Sequence, residues 1–122
     1  MNRHHQENLQ QFAERYMVVW NEADAERRLK RITEIWTEDG VQFTPEGEYR
    51  GHQALLSRIS TNYETFVKTQ GLLFRAGNVQ EHHDAVKLIW EMLPARGGEV
   101  KGSGVLFLLL SDDGRVRLDY QF

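Results

Sequence analysis

Few side chains in this sequence could do chemistry, and they are scattered. His82, His83 and Asp84 stand together and suggest a His–carboxylate pair or a metal site. A metal would need a further ligand nearby, and no spacing supplies one, so a hairpin tip is the plainer role for the three. His4 and His5 lie too near the start of the chain to suggest a site. Gly97-Gly98 and Gly102-Ser103-Gly104 lack the lysine and following helix of a phosphate loop. With no cysteine, disulfides and thiolate metal sites are excluded, and neither a metal nor a cofactor is expected. Asp119 is the carboxylate with two readings. Buried beside apolar side chains it would have a raised pKa and could act as a base near neutrality. On a solvated face with Arg115, Arg117 and Gln121 it would simply pair with an arginine.

Composition limits the partners. Hydrophobic residues make up 40% and charged residues 27% of 122 positions, as in an ordinary single globular domain spanning 1–122. A net charge of -3 argues against nucleic acid, which needs a concentrated basic face. Arg27, Arg28, Lys30 and Arg31 are clustered, but they bracket Leu29 and Ile32 as the solvated face of a helix would. No run approaches the roughly 18 apolar residues that span a membrane. The first residues lack the apolar middle of a signal peptide, so a cytoplasmic protein is the expectation.

These residues must be positioned by elements of two periods. Leu9, Phe12, Ala13, Tyr16, Met17 and Trp20 repeat at helical spacing, and Asp24 caps a second helix whose stripe is Ala25, Leu29, Ile32, Ile35 and Trp36. Asp39-Gly40 is expected to end that helix. Val41-Gln42-Phe43 then forms a short strand, and 46–50 a loop after Pro45. Gly51 opens a third helix lined by Leu55, Leu56, Ile59, Tyr63, Phe66 and Val67, closed by Gly71. From there the period becomes two. Strands are expected over 72–82, 85–94, 99–110 and 115–122, joined by short turns and therefore antiparallel. Helices first and strands last give an α+β class, three helices on a curved, mainly antiparallel sheet. The strand 105–110 is apolar on both faces, and Ile89 and Leu93 add to the outer face, which leaves room for a homodimer.

With these elements placed, the chain resembles the superfamily of nuclear transport factor 2, ketosteroid isomerase and SnoaL-like polyketide cyclases. The resemblance rests on 14–24, on Trp36-Thr37-Glu38-Asp39-Gly40-Val41, on Pro45, Gly51 and Trp90, and on Asp112-Asp113-Gly114-Arg115-Val116. It implies a cystatin-like cone: a strongly bent mixed sheet, three helices closing its open side, and a pocket where the first helix crosses the sheet. Tyr16, Trp20, Trp36, Phe43, Tyr63, Trp90 and Tyr120 are then candidates for the ligand-binding wall, with core packing the alternative for each. The resemblance also puts Tyr16 where ketosteroid isomerases carry an oxyanion donor. The positions of their base and second donor are Thr44 and Leu106. The cyclases' carboxylate falls close to Gln121, two residues from Asp119 on the same strand face. The expectation is therefore a domain that binds a small apolar or aromatic molecule, with no reaction assigned. The alternatives are a proton-transfer isomerase or cyclase using Asp119 as base and Tyr16 as donor, and a pocketless dimerisation module.

Overall fold

The computed structural model describes residues 7–122; His4 and His5 lie outside them. Helix α1 runs Leu9–Asn21, with an Asn8–Gln11 capping box in which each side chain bonds the other's backbone N–H. Asp24 accepts from the Arg27 N–H and starts α2, Ala25–Ile35. The turn between them is closed from an unexpected side. Arg28, expected on a solvated face, is 4% exposed; its guanidinium donates to the Glu22 and Ala23 carbonyls and to Ser60 Oγ. The end of α1 leaves carbonyls without helical partners, and this arginine supplies donors to that turn.

The second helix stops earlier than its apolar stripe suggests, because Trp36 already belongs to β1, Trp36–Thr44. Asp39-Gly40 is not a helix stop but part of a bulge in that strand. Between the pairs Trp36↔Val116 and Val41↔Leu118, β1 advances by 41 − 36 = 5 residues while β6 advances by 118 − 116 = 2. Gly40 permits the bulge, since a Cβ there would lie 3.0 Å from the Thr37 carbonyl oxygen and 3.2 Å from that of Val116. The expected loop after Pro45 contains a short strand, β2 (Gly47–Arg50), folded back antiparallel on β1. Its turn is held by Thr44 Oγ1, which accepts from the N–H groups of Glu46 and Gly47. Glu48 and Arg50 give this edge the charged character that hid it in the sequence.

Gly51, at φ 84°, admits α3, Gly51–Asn62, which widens into a π-helical turn over Tyr63–Lys68 and closes at Gly71. Then follow β3 (Leu72–His82), β4 (Ala85–Pro94), β5 (Gly102–Leu110) and β6 (Val116–Gln121). The last two begin three and one residues later than expected. The sheet order is β2-β1-β6-β5-β4-β3, antiparallel throughout except for β1 beside β6. Further bulges interrupt the β3–β4 and β5–β6 ladders and bend the strands. The three helices pack on one face, where Phe12, Tyr16, Trp20, Ile32, Trp36, Leu55, Leu88, Leu106 and Leu108 form the core.

Candidate functional site

The site starts from the parity of β6. Alternation alone groups Val116 with Leu118, Tyr120 and Phe122, and Arg117 with Asp119. The ladder breaks that rule: Leu110↔Val116 is followed by Leu109↔Leu118, so Arg117 is an extra residue on β6. Every side chain beyond it changes face. Arg117 stays exposed while Asp119 turns inward to 0% exposure, the opposite of a solvated, arginine-paired face. Its neighbours across the ladders, Gln42 on β1 and Leu108 on β5, are also fully buried.

Asp119 is satisfied by three donors. Oδ2 accepts from the Tyr16 hydroxyl at 2.7 Å and from Gln42 Nε2 at 3.0 Å, and Oδ1 accepts from Gln121 Nε2 at 2.7 Å. Gln121 Nε2 also donates to the Tyr16 oxygen at 3.1 Å, so the hydroxyl accepts one bond and gives its proton to Asp119. Arg58 extends the chain by donating from Nε to Gln42 Oε1. Burial pushes the Asp119 pKa up; the bonds from Tyr16, Gln42 and Gln121 pull it back without cancelling the rise. The Trp36 indole nitrogen also favours the charged carboxylate, from outside hydrogen-bonding geometry. Tyr16 is held well above its ordinary pKa, by burial first and then by the negative carboxylate it bonds.

Beside this network lies a cavity of about 250 Å³. Tyr16, Arg58, Asn62 and Gln121 form its polar part, and Met17, Trp20, Phe66, Phe74, Trp90, Met92 and Leu106 its apolar part. Asp119 and Gln42 stand behind Tyr16 and Gln121 rather than on the wall. Phe74 ties the aromatic side together, meeting Trp20, Phe66 and Trp90 edge-on at centroid distances of 6.4, 6.3 and 5.9 Å. Trp90 lies across Gly104 on the neighbouring strand, where a Cβ would come within 2.6 Å of the indole. Only glycine at that position accepts this ring.

Three of the seven expected wall residues, Tyr16, Trp20 and Trp90, line the cavity. The other four are placed elsewhere. Trp36 is fully buried, 5.3 Å from the Tyr16 ring, because β1 starts with it and points it into the core. Phe43 and Tyr120 stack at 4.9 Å on the outer face, since their strand neighbours Gln42 and Asp119 take the inner one. Tyr63 opens the π-helical turn and packs under the Arg28 guanidinium at 4.7 Å. Thr44 is spent on the β1–β2 turn, whereas Leu106 and Gln121 are on the cavity wall. His83 and Asp84 form the β3–β4 turn, both at positive φ, and His82 is the last residue of β3. Among the described residues no cluster of three or more His, Cys, Asp or Glu could hold a metal, and no helix is long and apolar enough to cross a membrane.

Arg58 and Asn62 were missed, yet they leave a trace in the sequence. They flank the α3 stripe three positions after Leu55 and Ile59, polar residues on the edge of a core-facing surface.

Residues 13–118 match the family described as the SnoaL-like domain. No match is found among the curated proteins. Solved structures share the fold. One is a candidate isomerase of the SnoaL-like family from Agrobacterium tumefaciens, 24% identical, covering 91% of this chain and 92% of that one at a TM-score of 0.80. Another is a candidate polyketide cyclase from Bacillus cereus, 15% identical, covering 92% and 71% at a TM-score of 0.69. A protein of unknown function with a cystatin-like fold from Nostoc punctiforme is 16% identical, covering 90% and 84% at a TM-score of 0.65.

Proposed function

The chain belongs to the SnoaL-like domain family, and from that premise we propose that it binds a small molecule with an apolar or aromatic body in the cavity beneath α1. The cavity carries this reading: an aromatic wall of Trp20, Phe66, Phe74 and Trp90 faces a small polar group of Tyr16, Arg58, Asn62 and Gln121. Native mass spectrometry of freshly purified protein tests it. A mass increment that disappears on denaturation supports bound ligand. A ligand-free spectrum, with no thermal shift from aromatic compounds of matching size, would leave the pocketless module.

A second reading adds a reaction, and one observation favours it: the wall residue Tyr16 hands its proton to a buried carboxylate of raised pKa. In that reading the Tyr16 oxygen takes a proton from a carbon acid while its own proton passes to Asp119 Oδ2. The substrate is left as an enolate whose negative oxygen faces Arg58. An oxyanion donor role would instead require the Tyr16 proton to leave Asp119. Solvent deuterium exchange into an aromatic ketone, lost in both Asp119→Asn and Tyr16→Phe, is the expected signature. Exchange that survives both changes overturns this reading.

The outer sheet face is proposed as a homodimer contact. Phe43, Tyr120, Phe107 and Phe122 meet there, and the last two are 41% and 71% exposed.

A further inference from the structure

The aromatic cavity holds one permanent cation. Arg58 donates from Nε to Gln42 and has its guanidinium carbon 5.2 Å from the Tyr49 ring and 5.8 Å from that of Trp20. These three contacts fix the plane of the guanidinium. Among the described residues they leave Nη1 and Nη2 without an acceptor, and no carboxylate lies within ion-pair distance of the guanidinium. The Asp119 carboxylate is reached only through the neutral Gln42 amide. Asn62, one helical turn on from Arg58, lines the same cavity with a carboxamide that bonds no other described residue. The buried Trp20 indole nitrogen has no acceptor among the described residues either.

This arrangement selects among ligands. A wholly apolar molecule would leave a desolvated guanidinium without an acceptor, which is costly. A bare inorganic anion would leave the wall of Trp20, Phe66, Phe74 and Trp90 uncovered. A carboxylate attached to an aromatic ring meets both demands, because its two oxygens match the planar pair of donors that a fixed guanidinium presents. Size narrows the ring system. The cavity, at about 250 Å³, exceeds the ~150 Å³ that accepts benzene and falls short of the ~300 Å³ where drug-sized pockets begin.

We infer that the ligand is an aromatic carboxylate of one or two rings, with its carboxylate bound by Arg58 and Asn62 and its rings against Trp20 and Trp90. The inference rests on the ligand-binding reading above and names the class of ligand. Isothermal titration calorimetry with phenylacetate and naphthoate against their primary amides separates the two. Each acid should bind at least about tenfold tighter than its amide. Arg58→Gln should abolish that preference, weakening the acids far more than the amides, with the fold verified by circular dichroism. Arg58→Lys keeps the charge without the fork and should retain only part of the preference. It also carries the test should Arg58→Gln fail to fold. Equal affinity for acid and amide, or a preference that survives Arg58→Gln, overturns the carboxylate assignment and leaves the pocket standing. If no acid and no amide binds, the pocket reading fails and this inference fails with it.

Discussion

On the inner face of β1, β6 and β5, Gln42 and Asp119 are sealed from solvent, whereas on the outer face of the same strands Phe107 and Phe122 lie open to it. The usual distribution of polar and apolar side chains is reversed across one sheet. Most exposed apolar residues need no explanation, but a buried carboxylate and a contiguous patch of exposed aromatics both do. The inner group is tied together by hydrogen bonds that position Tyr16 and Arg58 at a cavity. The outer group is a set of rings of which Phe107 and Phe122 stay exposed among the described residues. Departures from the burial rule thus mark the two places for which separate roles are proposed, a cavity for a small molecule and a face for a second copy.

That contrast can be broken from either side. The largest effect is expected from Gln42→Leu, which removes a donor from Asp119 and the acceptor from Arg58 Nε together. It should cost about 3 kcal/mol in urea unfolding, since bonds to charged groups are each worth about 1.5–3 kcal/mol. A loss near zero would mean that the inner network is not a structural unit. Tyr16→Phe removes one bond to the carboxylate and should cost about 2 kcal/mol at neutral pH.

A smaller effect is expected from Asp119→Asn, and its sign depends on pH. Burial raises the folded pKa of Asp119 above its ordinary value. Its contribution to stability is therefore fully present below the unfolded pKa and is lost as pH rises through the folded value. Wild-type stability minus that of Asp119→Asn should fall over this interval and then level off, as thermal melts at stepped pH would reveal. A difference that rises with pH would mean a carboxylate stabilised by its donors beyond its burial cost. Smallest of all should be Phe107→Asp, which changes protomer stability by no more than about 0.5 kcal/mol. On the proposed dimer contact, light scattering should show the wild-type protein as a dimer and this variant as a monomer. If Phe107→Asp unfolds the protein instead, the outer face is core and the comparison collapses.

The fold was largely legible because its periods are clean. The α1 stripe and the β3–β4 alternation need no information beyond the chain itself. What resisted reading were the places where the period slips. One extra residue at Arg117 moved Asp119 from the solvent side to the core side, and the bulge before Gly40 turned an expected helix stop into strand. The same slip made Tyr120 look like a pocket residue and hid the partnership of Asp119 with Gln42. Aromatic identity alone could not separate wall from core for Trp36 or Tyr63, because both uses bury the same kind of surface. Arg58 was passed over since charge at a stripe edge usually means solvent, and here it means the cavity.

Gly104 gives the cavity a remote adjustment. The indole of Trp90 lies 2.6 Å from where a Cβ on Gly104 would stand, so even one methyl group there must lift the ring, and the adjoining free space is the chamber it already lines. Gly104 is not itself among the residues of that chamber's wall. Chamber size is therefore set partly by a residue outside its wall, and a single carbon added on the strand next door would narrow it.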